Sequence, residues 1–313
     1  MTNFVKDREA TRIISASQPG SGEWLRVAPD ATLAFSRQRS ALATIALQRR
    51  LGLYISSAID AIEHEAKINP DVAKPDLLGD RAANAGAHTP RHNAVLRAVH
   101  KAASAVSDVG IIMCDKEAKD AYQQYNAGHV ADLAHPGGSP WGTDALTEIK
   151  VPSPFTVTHH AGRGNKDGDA TAADVGNFYA FGSTEEPLRY KTLGCRQRGH
   201  EGGPKFDAAT GRGFVARHAG HYADALKKNN QVIVAVVESL GGISPPLHRQ
   251  LKYQARRAGK KNARDGTRYS RVRPVSYITH HTRMISASAV LTCAANTETQ
   301  LIALKISHAA GAA

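Results

Sequence analysis

The chain has 313 residues, of which 42% are hydrophobic, so it can bury the core of one large domain or of two modest ones. Lys and Arg total 40 against 28 Asp and Glu, and the formal net charge of +12 favours a polyanionic partner such as DNA or RNA. Three widely spaced cysteines argue against a disulfide framework and a paired-cysteine zinc site, and no apolar run reaches the ~20 residues of a membrane-spanning helix. These absences leave the cytoplasm or the nucleus, and we expect an intracellular, nuclear protein with no membrane partner.

Residues 1–85 predict a helical N-terminal region that ends in a linker. Leu42, Ile45, Leu47 and Leu51 recur at roughly helical spacing, which indicates a helix with one apolar face. Proline and glycine then become frequent, and these residues interrupt regular structure. The linker is expected to separate this region from the domain that follows.

Residues 86–258 predict an α/β domain with one central sheet. Its expected elements, in chain order, are a helix that starts near 91, strands at 109–113, 128–133 and 146–151, a helix at 214–228, a strand at 231–237 and a helix at 245–258. A three-strand meander joined by a crossover helix to a fourth strand gives a mixed four-stranded sheet with helices on both faces. Residues 159–212 are rich in glycine and lack periodicity, so we expect a long insertion there. Residues 259–313 predict a basic segment and then a closing helix from Met284 to Ser307.

The residues that carry chemistry are Asp132 and the trio Glu148, Ile149 and Lys150. Side chains alternate along a strand, so Glu148 and Lys150 project from the same face of the third strand. Asp132 is expected near the end of the preceding strand, and a turn over 134–145 that is rich in glycine and proline suits a hairpin. Pairing the two strands brings Asp132 beside Glu148, so two carboxylates and one ammonium group meet at one end of the sheet.

This combination is typical of metal-dependent hydrolysis of phosphodiesters. Adjacent carboxylates resist joint ionisation, and a hard divalent cation such as Mg²⁺ or Mn²⁺ removes that penalty. Asp132, Glu148 and the carbonyl oxygen of Ile149 are the expected metal ligands. Lys150 is expected to orient the attacking water or to stabilise the charge that develops on the scissile phosphate. The alternative interpretation of Glu-x-Lys on a strand is a solvated ion pair.

The motif resembles that of the PD-(D/E)xK restriction-like nuclease superfamily. Here it reads Ala131-Asp132, then fifteen residues, then Glu148-Ile149-Lys150. Ala131 replaces the usual proline, which is not a ligand. The resemblance implies a restriction-endonuclease-like fold and a Mg²⁺-dependent endodeoxyribonuclease with Asp132, Glu148 and Lys150 as its catalytic residues.

A wider resemblance covers about residues 19–260. It concerns the endonuclease region that follows the reverse transcriptase in non-LTR retrotransposons of the algal and protist type. Its most specific part runs from RHNAVLRAVHKAA (91–103) to the catalytic strand, and VVESLGGISPPLHRQLKYQARRAG (236–259) adds to it. The resemblance implies nicking of target DNA to prime reverse transcription, with RNA or a reverse transcriptase domain as further partners. Arg81 stands where a histidine of a small zinc knuckle is common, so zinc is not predicted.

Further candidate residues surround this centre. Asp115 and Glu117 follow the first strand, and either could assist the metal or remain a solvated loop carboxylate. The candidates for DNA contact are Arg91, His92, Tyr222, Lys227, Lys252, Arg256 and Arg257. Tyr222 could instead be a core aromatic residue, and His92 a capping or packing residue. The alternative function is a catalytically inactive nucleic-acid-binding module or a retrotransposon remnant, for which the basic charge would suffice.

Overall fold

Helices and a β-sheet make up the part of the chain that the computed structural model describes, namely residues 12–13, 16–17, 20–26, 39–55, 88–107, 110–113, 122–127, 130–139, 142–151, 222–265 and 276–311. In chain order the elements are a 3₁₀ turn (Glu23–Arg26), helices α1 (Arg39–Leu51) and α2 (His88–Ser104), strands β1 (Ile112–Met113), β2 (Leu133–His135) and β3 (Ala145–Lys150), helix α3 (Ala223–Lys227), strand β4 (Gln231–Val236), and helices α4 (Pro245–Asp265) and α5 (Tyr277–Gly311). The predicted insertion at 159–212 and most of the predicted linker lie outside the described residues.

The four strands form a mixed sheet in the order β1-β2-β3-β4. Strands β1, β2 and β3 pair antiparallel as a meander, whereas β4 pairs parallel to β3. A parallel pair needs a crossover connection, and helix α3 lies in that connection just before β4. The predicted mixed four-stranded sheet with flanking helices is therefore confirmed.

The start of β2 differs from the prediction, and the difference bears on the candidate site. A strand was predicted at 128–133, but residues 130–132 are not part of the sheet and β2 begins at Leu133. Asp132 therefore precedes the strand instead of lying near its end. Its side chain accepts a hydrogen bond from the Ile149 amide, at the position where a longer β2 would have offered a backbone carbonyl.

The last two helices are longer than predicted. Helix α4 continues past residue 258 to Asp265, and α5 begins at Tyr277 and runs to Gly311. The lysine and arginine content that predicts a separate basic segment after 258 also suits a helix, since both residues have high helix propensity. Among the described residues, no helix has both the length and the apolar content needed to cross a membrane.

Buried side chains line both faces of the sheet. On one face, Leu133, Ile149 and Ala235 pack against the apolar sides of α2, α4 and α5. On the other face, Leu146 and Val234 pack with buried tyrosines, among them Tyr222 just before α3. The last four residues of β4 are all buried, as its nearly continuous apolar sequence predicts.

Helix α1 packs against α5 through only part of the face that spacing predicts. Leu42 and Ile45 are buried with residues of α5, whereas Leu47 and Leu51 are 42% and 57% exposed. Ala46 continues the buried face in their place, because each helical residue turns by about 100°. Helix α5 therefore packs against both the N-terminal region and the sheet domain.

Gly241, in the turn between β4 and α4, is a position where we expect alanine to destabilise the fold. Its φ of +90° lies in the left-handed region, and a Cβ atom would lie 2.4 Å from Ser286 Oγ and 3.0 Å from Val290 Cγ2 on α5. Strain and overpacking should together lower the free energy of unfolding by about 2–4 kcal/mol, measured by urea unfolding.

Gly110 provides the matched control for this substitution. No atom of the described residues lies within 4 Å of its Cβ position, and its φ is not positive. We expect Gly110→Ala to change the free energy of unfolding by less than about 1 kcal/mol. Equal losses in the two variants would contradict the packing of the Gly241 turn against α5.

Candidate active site

Asp132 stands immediately before β2 and is bonded to the neighbouring strand. The register pairs Leu133 with Thr147, and continuing it places Asp132 opposite Glu148. Asp132 Oδ2 accepts a hydrogen bond from the Ile149 amide at 2.6 Å. The first carboxylate of the predicted site is therefore anchored to the strand that carries the second.

The backbone of Ile149 faces Asp132 and not β4. On the β4 side, the amide of Val237 donates to the carbonyl oxygen of Lys150 at 2.9 Å. Successive residues of a strand turn their backbone groups to opposite sides, so the N–H and C=O of Ile149 both point towards β2. The Ile149 carbonyl oxygen, predicted as a metal ligand, thus lies on the same edge of β3 as Asp132.

Glu148 is 6% exposed, and each of its carboxylate oxygens has a donor. Lys150 Nζ lies 2.5 Å from Oε1, and the Tyr222 hydroxyl donates to Oε2 at 2.5 Å. Glu148 and Lys150 are two residues apart on β3 and share a face, as strand alternation predicts. Charge-assisted hydrogen bonds of this kind stabilise a carboxylate that has been removed from water.

His92, near the start of α2, contacts the same oxygen of Asp132. Its Nε2 lies 3.2 Å from Asp132 Oδ2, and its Nδ1 lies 3.4 Å from Asn93 Oδ1. The hydrogen bond to Asp132 is the main cause of a raised pKa of His92, which burial and the nearby charge of Lys150 oppose. We predicted His92 as a DNA contact, and this contact joins it to a residue predicted as catalytic.

Tyr222 connects the site to the buried face of the sheet. Burial is the main cause of the raised pKa of its hydroxyl, followed by the charge of Glu148, and Asp132 also contributes. The hydroxyl therefore remains protonated at neutral pH and acts as a donor. His92 contacts Asp132, and Lys150 and Tyr222 contact Glu148. Because both carboxylates also raise the pKa of the Tyr222 hydroxyl, we treat these five residues as one group, the carboxylate cluster.

Two side-chain hydrogen bonds hold α3 where Tyr222 can reach the cluster. Asn126 Oδ1 accepts from the Ala225 amide at 3.0 Å, and Asp224 Oδ2 accepts from the Ala127 amide at 2.8 Å. Neither Asn126 nor Asp224 stands out in the sequence pattern. Asn and Asp near a helix start commonly cap it, but that local signal does not identify a partner about a hundred residues away in the chain.

An open depression of about 250 Å³ adjoins the carboxylate cluster. It is lined by Thr89, Arg91, His92, Ile149, Lys150 and Val151. The side chains of Lys150, His92 and Asp132 are 36%, 30% and 20% exposed. A ligand from solvent can therefore reach the cluster from this side. Glu148 is the buried carboxylate of the cluster and lies on its interior side.

Of the predicted acidic and DNA-contact candidates outside the cluster, five are described by the structure and two are not. Asp115 and Glu117 lie outside the described residues. Arg91 is among the residues that line the depression, but it is 1% exposed and its Nη1 lies 3.9 Å from Cys293 Sγ, so its guanidinium is buried. Lys227 is exposed at the end of α3.

The candidate basic residues of α4 differ in exposure, and one of them contacts the turn between β2 and β3. Lys252 and Arg256 are exposed, whereas Arg257 is partly buried and its Nη1 donates to the Gly137 carbonyl oxygen at 3.2 Å. Gly137 belongs to the turn between β2 and β3, at the opposite end of β3 from Lys150. The Arg257 guanidinium therefore lies near the end of β3 that is away from Lys150.

No protein-family model, curated protein or solved structure matches this chain. Within the described ranges, no group of three or more His, Cys, Asp or Glu side chains is placed to hold a metal ion. A divalent ion at the cluster would therefore use few side-chain ligands, with backbone, water and phosphate oxygens in its remaining positions. Mg²⁺ commonly takes this kind of coordination.

Neutralising Asp132 should lower the pKa of His92. Asp132→Asn keeps an oxygen for the Ile149 amide but removes the carboxylate whose hydrogen bond, and then whose charge, raises the His92 pKa. NMR titration of the imidazole should therefore give a lower pKa in the variant. Asp144→Asn, at the other end of β3, is the matched control and should leave the His92 pKa unchanged.

The same substitution should have a stability effect that depends on pH. The folded pKa of His92 is raised, so its interaction with Asp132 stabilises the protein fully below the unfolded value of 6.5. This contribution is lost as the pH rises through the folded pKa. The difference in unfolding free energy between wild type and Asp132→Asn should thus be larger at about pH 5.5 than at about pH 8.5. A difference that grows with pH would contradict the contact.

Removing the Tyr222 hydroxyl should destabilise the fold, because the buried Glu148 would lose a donor. We expect Tyr222→Phe to lower the free energy of unfolding by about 1–3 kcal/mol at neutral pH, measured by urea unfolding. Tyr54 is 59% exposed, and Tyr54→Phe should stay within about 0.5 kcal/mol of wild type. Equal stability of the two variants would rule out a structural role for the hydrogen bond.

Proposed function

We propose that this protein is a metal-dependent endonuclease that hydrolyses DNA phosphodiester bonds and nicks target DNA for retrotransposition. The observation that carries the proposal is the hydrogen bond from the Ile149 amide to Asp132 Oδ2. It holds one carboxylate against the strand on which Glu148 and Lys150 share a face. Two acids and an amine beside an open depression suit metal-assisted attack on a phosphodiester.

The donor atoms at the cluster suit a hard divalent cation. Asp132, Glu148 and the carbonyl oxygen of Ile149 would supply oxygens to Mg²⁺ or Mn²⁺. When bound, the cation would lower the pKa of a water molecule and offset the charge of the scissile phosphate. Two neighbouring carboxylates favour such an ion, because it relieves their mutual repulsion.

Lys150 is the residue to which we assign stabilisation of the transition state. Its side chain lines the depression, and its ammonium group contacts Glu148. From this position it can orient a water molecule for attack and stabilise negative charge on the phosphate oxygens. Tyr222 holds Glu148 from the buried side and gives up no proton at neutral pH, because its pKa is raised.

Basic side chains support DNA as the substrate. The formal net charge is +12, and Lys252 and Arg256 are exposed one turn apart on α4. Contacts between such residues and phosphates release counterions, so binding should weaken steeply as salt is added. These contacts would place DNA without selecting its sequence.

Nicking of a supercoiled plasmid by the full chain tests the proposal. Wild type should produce open circles only when Mg²⁺ or Mn²⁺ is present. Asp132→Asn and Lys150→Ala should each lower the rate by at least about 100-fold, because each removes a charge that acts in the transition state. The matched controls are Asp144→Asn and Lys101→Ala, which change the same residue types outside the cluster and should retain nicking.

Two results would count against the mechanism. Nicking that persists in both Asp132→Asn and Lys150→Ala would remove these residues from catalysis. Salt-sensitive DNA binding by wild type, without cleavage under any metal condition, would favour the catalytically inactive nucleic-acid-binding module.

A further inference from the structure

We propose that the depression beside the carboxylate cluster receives an unpaired base next to the scissile phosphate. The protein would then prefer DNA that carries an unpaired nucleotide to fully paired duplex. The inference rests on the proposed function, because the phosphate concerned is the one that the cluster would hydrolyse. It names the substrate class of that same site.

The depression and the carboxylate cluster share two side chains. Lys150 and His92 line the depression, and each of them also contacts a carboxylate of the cluster. A phosphate held by Lys150 would therefore stand at the edge of the depression. The group that enters the depression must then be attached directly to that phosphate, and in DNA this group is the adjoining nucleoside.

The lining of the depression is only partly charged. Val151 directly follows β3 and packs against the apolar core that α2 shares, and Thr89 is an exposed residue in the first turn of α2. Phosphate contacts come from charged and hydrogen-bonding groups, so the apolar part of this lining adds little to them. It suits the apolar face that every base has, while the Thr89 hydroxyl can serve the polar edge of the base.

The imidazole ring of His92 adds a surface on which a base can stack. Its Nε2 lies near Asp132 and its Nδ1 near Asn93, and its side chain is partly exposed. Because both ring nitrogens are engaged, the contact that the ring can still offer a base is stacking. Histidine is among the side chains on which unstacked bases are commonly held.

The size of the depression favours a single base that has left the duplex. Its volume of about 250 Å³ is below the roughly 300–1,000 Å³ of pockets that hold drug-sized ligands. It can therefore take one base but not a stacked base pair. Within a duplex the faces of each base are covered by its neighbours, so only an unpaired base can present a face to the lining. Moving a base out of the stack costs least where it is mismatched or single-stranded, and this cost produces the preference.

DNA binding by the full chain in EDTA tests this inference without cleavage. Fluorescence anisotropy compares three labelled DNA molecules of the same sequence: a fully paired duplex, a duplex with one bulged thymidine, and a duplex with an abasic nucleotide at the bulge. Wild type should bind the bulged thymidine at least about fivefold more tightly than the paired duplex, because a stacked base contributes to affinity. The abasic bulge should lose this preference.

Thr89→Leu tests whether the depression holds the base. It fills part of the depression without adding a ring or a charge, and it should bring the preference for the bulged thymidine close to one. Thr44→Leu makes the same exchange at an exposed position of α1, a helix that does not line the depression, and should keep the preference.

The possible results separate this inference from the proposed function. Equal wild-type affinity for paired and bulged duplexes would overturn the inference, and metal-dependent nicking would then leave the nuclease proposal standing. An abasic bulge bound as tightly as the bulged thymidine would show recognition of the backbone instead of the base, and would also overturn it. A preference that Thr89→Leu retains would place the base outside the depression. A preference that Thr89→Leu removes, in a protein that nicks with neither Mg²⁺ nor Mn²⁺, would support the base site and contradict the nuclease proposal.

Discussion

The amide of Ile149 needs a hydrogen-bond acceptor just before β2 begins, and the carboxylate of Asp132 provides it. A backbone amide without a partner costs free energy, so this bond is a constraint on the fold as well as on the site. The Asp132 side chain thereby takes the place of a backbone acceptor at the start of β2 and fixes a negative charge beside β3. The rest of the carboxylate cluster is arranged around that bond, because Glu148 and Lys150 flank Ile149 and His92 meets the same carboxylate oxygen.

Charge is held close to the apolar core by matching donors to acceptors. A carboxylate buried without partners would be costly, and Glu148 avoids this cost because Lys150 and Tyr222 each serve one of its oxygens. The two donors differ in their surroundings, since Tyr222 is fully buried and Lys150 is partly exposed. The cluster therefore has an inner end fixed by packing and an outer end that faces solvent.

Local patterns were sufficient to predict part of this arrangement. Strand alternation predicts the common face of Glu148 and Lys150, and the order of elements predicts the mixed sheet. The start of β2 could not be predicted, because hydropathy does not show where a side chain replaces a backbone acceptor. The contact of His92 with Asp132 depends on how a helix lies across the sheet, which spacing along the chain does not encode. Leu47 is exposed for a similar reason, since the buried face of α1 is chosen by α5.

Helix α5 contributes buried side chains to two hydrophobic cores. Ile285 and Ala289 pack with the sheet domain, while Val290 and Ala294 pack with the N-terminal helix α1. Losing either set of neighbours would uncover one side of the same helix, so the two cores should melt together as one cooperative unit. Helix α5 also packs along α2, which presents His92. The N-terminal region, though remote in sequence from the carboxylate cluster, thus packs against the same helix that supports α2 and its His92.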